Sequence, residues 1–149
     1  MTVRTVAIRL KIPDNEAYTA LTALRRLGVD VARLERAEIW ALDDAGNDGD
    51  FIERVERNET LFNPNKHELQ LLGEGAPREG EAWIETLRET ADVSDDLARI
   101  GRPVVNVLRG RRFIGWRLFA DGHKPADART VRAAVERLLC NPAIERALM

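Results

Sequence analysis

The start of the chain, as far as Gly28, shows two hydrophobic periods, one typical of a strand and one typical of a helix. From Val3 to Lys11 the side chains alternate, which predicts a β-strand whose buried set is Arg4, Val6, Ile8 and Leu10. After Pro13-Asp14, apolar residues recur at helical spacing as far as Leu27, and Gly28 supplies a left-handed stop. The sequence therefore predicts a strand and then a helix whose apolar side faces a sheet.

The next segments continue this order with a strand, a helix and a third strand. The segment from Leu34 to Leu42 is apolar on both faces, which predicts a strand covered on both sides. A polar loop leads to a helix that we expect to begin at a cap formed by Asp50 and to bury Phe51, Ile52, Val55 and Phe62. We expect it to stop where Asn63 adopts the left-handed conformation and Pro64 breaks the hydrogen-bond ladder. Leu69 and Leu71 predict the third strand.

A stretch rich in glycine and proline, residues 74–81, is predicted to link one half, residues 1–73, to a second half, residues 82–149. The second half is predicted to contain a strand near Trp83 to Leu87, a short helix capped by Ser94, strands at Val104 to Leu108 and Arg112 to Ala120, and a helix capped by Asp127 that ends at Asn141-Pro142. Residues 143–149 are too short to predict a final strand firmly.

Several local patterns recur at a nearly constant distance along the chain. The Asn-Pro pair at Asn63-Pro64 returns at Asn141-Pro142, an offset of 78 in the numbering (142 − 64), after Leu-Phe in one case and Leu-Cys in the other. Trp40 returns as Trp116 at an offset of 76 (116 − 40), so both tryptophans are expected in a core or in a contact between halves. Offsets that change only by loop-sized steps predict one βαβαβ unit present twice.

Composition and charge limit the functions that the chain is expected to have. The 149 residues carry 23 basic and 25 acidic side chains, a net charge of −2, so no overall basic field predicts binding to nucleic acid or to anionic lipid. No apolar run approaches the length needed to span a bilayer, and no apolar signal core begins the chain. A single cysteine fits a reducing compartment, so we expect a cytoplasmic protein.

The side chains that could serve catalysis do not form a recognisable pattern. The only serine, Ser94, is expected at a helix cap, and Cys140 next to a helix stop is expected to be a core thiol. Two histidines and one cysteine cannot by themselves fill a tetrahedral zinc site, and neither histidine has helical metal-ligand spacing, so we predict no metal site. We also predict no cofactor. The sequence therefore favours a protein that is not an enzyme.

One local concentration of positive charge is a candidate binding site. Arg109, Arg111 and Arg112 surround Gly110 at what the pattern predicts to be a hairpin tip. Three guanidinium groups there could hold a phosphate or a partner's carboxylates. The alternative is a solvated turn whose charges protect a strand end.

Two segments of the chain, one in each half, also resemble a known family. Leu24-Arg25-Arg26-Leu27-Gly28 in the first half, and Val135 to Glu145 with its Asn141-Pro142 stop in the second, resemble PurS, the small non-catalytic subunit of phosphoribosylformylglycinamidine synthase. The resemblance implies an α+β fold of two tandem PurS-like halves with antiparallel sheets, packed as a pseudo-dimer, like the N-terminal region of the single-chain synthase. The segment before the first helix is shorter than in PurS, and the closing strand of the second half is expected to be truncated.

The resemblance implies a structural role without catalytic residues. The chain would bridge the synthetase and glutaminase subunits in purine biosynthesis, and it could also self-associate as a homo-oligomer. The alternative is a regulatory module that binds a small molecule between its two halves. We expect neither a membrane nor a nucleic-acid partner.

Overall fold

The predicted first strand and helix form at the expected places. In the computed structural model, which describes residues 2–44, 46–73, 75–87 and 110–149, strand β1 spans Thr2–Leu10 and helix α1 spans Asn15–Arg26. The Asp14 side chain accepts the backbone N–H groups of Glu16 and Ala17 and so begins α1. Gly28, with a φ of 82°, follows the end of α1 in the left-handed conformation, as predicted.

The remaining elements in the described residues are five strands, two short α-helices and one π-helix. Strand β2 spans Arg33–Asp44, helix α2 Asp48–Glu56, strand β3 His67–Leu72, strand β4 Glu81–Thr86, strand β5 Gly110–Phe119, helix α3 Ala128–Ala134, a π-helix Val135–Leu139 and strand β6 Glu145–Leu148. The six strands form an antiparallel sheet in the order β3-β1-β2-β5-β4-β6. The α+β class is therefore confirmed. The predicted helix at Ser94 and the predicted strand at Val104 to Leu108 lie outside the described residues.

Helix α2 differs from its prediction at both ends. Asn47, and not Asp50, is its cap, because the Asn47 side chain accepts the backbone N–H of Asp50. The helix ends at Glu56 instead of continuing to Asn63. The backbone carbonyl of Asn58 accepts the N–H groups of two later residues, and its side chain accepts another, so local hydrogen bonds at Asn58 replace the helical ones.

Contacts divide the chain into two compact units, and each unit has a core of its own. One unit contains β1, the second part of β2, α2, β3 and the start of β5; the other contains α1, the first part of β2, β4, the rest of β5, α3, the π-helix and β6. The first core comprises Val6, Ile8, Trp40, Leu42, Phe51, Val55, Leu61 and Phe62. The second comprises Leu24, Val29, Val31, Leu34, Ala82, Ile84, Leu118, Ala126, Val131, Ala134, Val135 and Leu139. Each unit draws residues from both sides of the predicted linker, so the units are not the two sequence halves.

The strands that begin and end each sequence half pair in the same way. In the β1–β3 pair Ile8 lies opposite Leu69 and Arg9 opposite Glu68. In the β4–β6 pair Ile84 lies opposite Ala147 and Glu85 opposite Arg146. Both charged pairs form ion pairs, Arg9–Glu68 at 3.0 Å and Arg146–Glu85 at 2.7 Å. The basic residue lies on the first strand, β1, in one pair and on the last strand, β6, in the other. The register of the two pairs is thus the same once the numbering is shifted by 76 in the first strand (84 − 8) and by 78 in the second (147 − 69).

A buried carboxylate fixes the start of β4. Glu81 is 3% exposed and accepts hydrogen bonds from the backbone and the guanidinium of Arg78 and from Nε1 of Trp83, at 2.9 Å from the indole. Its charge is therefore compensated within the core. Just before it, Gly80 has a φ of 78° and its backbone lies so close to β5 that an added Cβ would meet the carbonyl oxygen of Leu118 at 2.7 Å.

Candidate functional site

The first Asn-Pro segment forms a turn that leads directly into β3. The backbone carbonyl of Asn63 accepts the N–H groups of Lys66, at 2.9 Å, and of His67, at 2.8 Å. The Asn63 side chain accepts the N–H of Asn65, and the N–H of Asn63 donates to Nδ1 of His67. Four hydrogen bonds among residues 63–67 therefore hold this segment as a tight turn.

The second Asn-Pro segment makes the same four hydrogen bonds before β6. The carbonyl of Asn141 accepts the N–H groups of Ile144, at 3.1 Å, and Glu145, at 2.8 Å. Its side chain accepts the N–H of Ala143, and its own N–H donates to Oε1 of Glu145. We call residues 63–67 and 141–145 the two Asn-Pro turns. Each opens the last strand of its sequence half.

The first Asn-Pro turn corrects the prediction that a left-handed Asn63 stops helix α2. Helix α2 ends at Glu56, well before Asn63, and none of the described non-glycine residues has a positive φ. The π-helix does end immediately before the second turn, at Leu139, but the residue that terminates it is Cys140 in an extended conformation. The asparagines act through Asx-type hydrogen bonds at the start of a strand. Pro64 and Pro142 each occupy the second position of a turn.

The structure describes two of the three arginines of the predicted cluster. Strand β5 begins at Gly110, so Arg111 and Arg112 lie within a strand, and Arg109 lies outside the described residues. Gly110 is required by close approach, because an added Cβ would lie 1.8 Å from the carbonyl oxygen of Ala41. The predicted turn involves residues before Gly110 that lie outside the described residues, so it stays a prediction. The binding role of Arg109, Arg111 and Arg112 stays a prediction.

An open groove lies within the second compact unit, beside α1. Its volume is about 460 Å³. The lining residues come from α1, from β5 and from the end of the second-half helix: Asn15, Glu16, Thr19, Ala20, Ala23, Trp116, Leu138 and Leu139. Ala20 and Ala23 are three positions apart and share one face of α1. Because their side chains are short, they leave space opposite Trp116 and the two leucines.

The groove also distinguishes the two tryptophans that recur along the chain. Trp40 is 8% exposed and belongs to the first core. Trp116 is half-buried, packs against the second core and lines the groove. The prediction that both contact a core is confirmed, but the exposed part of Trp116 was missed. The alanines at helical spacing in α1 were the signal in the sequence that could have indicated a depression.

In the described part of the chain, the cysteine and the two histidines lie in separate segments, and Ser94 lies outside that part. Burial raises the pKa of the Cys140 thiol, and the nearby charge of Glu145 raises it further, so the thiol stays protonated. His67 accepts a hydrogen bond in the first Asn-Pro turn, and His123 lies in the loop after β5. Among the residues that the structure describes, no group of three or more His, Cys, Asp or Glu could hold a metal ion.

Comparisons with known proteins add no family to these observations. No protein-family model matches the chain, and a search of curated proteins finds no significant match. Within the described residues, no helix is both long and apolar enough to cross a membrane.

Proposed function

We propose that the chain is a non-catalytic accessory protein built from two PurS-like halves, and that it bridges the synthetase and glutaminase subunits of phosphoribosylformylglycinamidine synthase. The observation that carries the proposal is the pair of Asn-Pro turns. At an offset of 78 in the numbering (141 − 63), the two segments make the same four hydrogen bonds and open strands with the same pairing register. Such agreement supports a duplicated unit more strongly than a chance likeness of capping residues.

The strand order also supports two like halves. If β4, β5 and β6 correspond to β1, β2 and β3, the order β3-β1-β2-β5-β4-β6 is one three-strand order followed by its reverse. Two halves related by a two-fold axis would produce such an order if the second strand of each half, β2 or β5, lay at the centre of the sheet. The strand order therefore supports the proposal of two like halves that the resemblance implies.

The composition of the two cores supports the same correspondence. Ile8 and Leu42 of the first core correspond to Ile84 and Leu118 of the second, both at the offset of 76 (84 − 8 and 118 − 42). Leu61 corresponds to Leu139 at the later offset of 78 (139 − 61). Ile8 and Ile84, and Leu42 and Leu118, are thus buried at equivalent positions of corresponding strands, which supports a duplicated unit.

The bridging role comes from the resemblance of residues 24–28 and 135–145 to PurS. A protein with this role holds two enzymes together and needs no reactive side chain. We further propose that the chain self-associates, as the family resemblance implies, and that it acts in the cytoplasm, as its single cysteine favours.

Co-purification tests this function. Tagged chain is expected to retain the synthetase and glutaminase subunits from a lysate of the cells that produce it, as identified by mass spectrometry. Replacement of Arg109, Arg111 and Arg112 by Gln is expected to reduce that retention if these arginines contact a partner's carboxylates. Monodisperse chain that retains neither subunit would contradict the bridging role.

A further inference from the structure

The groove beside α1 has the size and lining of a small-molecule site. At about 460 Å³ it lies in the range of roughly 300 to 1,000 Å³ that ligand pockets occupy. Such pockets are mostly apolar, with a few polar groups at defined places. Here the apolar part consists of Trp116, Leu138, Leu139 and the two alanines of α1, and the polar groups lie at the beginning of α1.

The first half of the chain serves as an internal comparison for the groove. Leu138 is 40% exposed at the groove, although the equivalent first-half position, at the offset of 78 (138 − 60), carries the polar residue Thr60. Trp116 is likewise more exposed than its counterpart Trp40. The structural settings differ, because Thr60 lies in a turn after α2 whereas Leu138 lies in the π-helix. Leu138 and Trp116 thus form an exposed apolar patch that the first half does not repeat, and a bound apolar group would cover it.

The charges around the groove favour an uncharged ligand. The only ionisable side chain among its lining residues is Glu16, whose carboxylate accepts a hydrogen bond from the Arg36 guanidinium. The negative charge is therefore compensated before any ligand arrives. Asn15 and Thr19 can instead offer neutral hydrogen-bonding groups. An ionic ligand would lose its hydration here without gaining an opposite charge.

We propose that this groove binds a small uncharged aromatic molecule that packs against the indole of Trp116. Aromatic rings gain from ring contacts in addition to the burial of apolar surface, and Leu138 and Leu139 supply the rest of the apolar contact. The alternative interpretation of the sequence is a regulatory module that binds a small molecule. The groove is a site where such a module could bind its ligand, and it lies within one compact unit. It does not depend on the bridging function, because a ligand site and a partner surface can exist together or separately.

Titration with indole, observed in ¹H–¹⁵N spectra, tests the proposal directly. The chain has three tryptophans, so three indole N–H signals are expected, and Trp116→Phe identifies the signal of Trp116. Indole is expected to shift the Trp116 signal in a saturable way. The signal of Trp83, whose Nε1 donates to Glu81 in the core, should remain in place. Absence of a saturable shift at Trp116 would overturn the proposal.

Two variants and two further probes complete the test. Leu138→Thr copies the first half at a partly exposed position, and it should weaken indole binding by about fivefold without unfolding the protein. Ala23→Leu should fill the groove and abolish the saturable shift. Cyclohexanol, of similar size but not aromatic, and benzoate, which is charged, should both bind more weakly than indole. The proposed site is contradicted if both variants bind indole as tightly as the wild type does. It is also contradicted if cyclohexanol binds the wild type as tightly as indole does.

Discussion

The two Asn-Pro turns predict that matched substitutions in the two halves have matched effects on stability. Asn63→Ala removes the acceptor for the N–H of Asn65, and Asn141→Ala removes the acceptor for the N–H of Ala143. The two hydrogen bonds measure 2.9 and 3.1 Å, and both are exposed to solvent. Since water can replace part of the lost interaction, each substitution should lower the free energy of unfolding by about 1 kcal/mol.

The double variant extends this prediction. The two turns share no hydrogen-bond partner, so Asn63→Ala with Asn141→Ala should cost about 2 kcal/mol, the sum of the single effects. Urea unfolding followed by circular dichroism measures both quantities, and the slope with urea should remain that of the wild type. The controls are Asn63→Asp and Asn141→Asp, which keep a side-chain oxygen acceptor and should cost less than alanine.

The fourth residue after each asparagine provides a second comparison between the turns. His67 and Glu145 accept the N–H of the asparagine in their respective turns. His67→Glu should therefore be tolerated, whereas His67→Leu leaves a partly buried N–H without its acceptor and should cost about 1 to 3 kcal/mol. The reasoning is refuted if one asparagine costs several kcal/mol and the other nothing, or if His67→Glu is as damaging as His67→Leu.

Three further predictions concern other parts of the fold. Glu81→Ala should lower the free energy of unfolding in urea by about 3 kcal/mol, because it leaves the buried indole N–H of Trp83 without its acceptor and removes a compensated charge from the core. A loss smaller than that expected for an exposed ion pair would contradict this prediction. Gly80→Ala should lower the melting temperature clearly, since φ is positive and the Cβ meets a backbone oxygen, while Gly122→Ala, with open space around it, should not; equal melting temperatures would refute the steric argument. The pKa of Asp127 lies below its ordinary value, chiefly because its carboxylate accepts the backbone N–H of Thr130. The stability that Asp127 adds is therefore fully present above the unfolded-state pKa of about 4, and it is lost as the pH falls through the lower folded-state pKa. Asp127→Asn should make acid unfolding less steep there, and an unchanged acid profile would count against this contribution.

The elements with a strong local signal could be predicted from the sequence. Alternation in β1 and the helical stripe of α1 gave nearly correct bounds, because each pattern has one period and a clear stop at Asp14 or Gly28. The burial of both Ile39 and Trp40 in β2 was also expected from its two apolar faces.

Features that depend on distant contacts could not be predicted in this way. The Asn-Pro pairs suggest a helix stop by composition alone, and only the hydrogen bonds to the start of β3 and β6 reveal their role. Gly110 resembles a turn residue in sequence, but its requirement comes from the backbone of Ala41, a residue far away along the chain. The alanines of α1 indicate short side chains on one helix face, but the groove itself depends on how α1 lies against Trp116, a residue far away along the chain.

Reconstitution with purified proteins tests the bridging role most directly. The synthetase and glutaminase subunits are analysed by sedimentation velocity, first as a pair and then with the chain added. The account predicts that the two subunits sediment together only when the chain is present, in a complex that contains all three proteins. It is contradicted if the subunits associate equally well without the chain, or if the chain sediments alone in the presence of both.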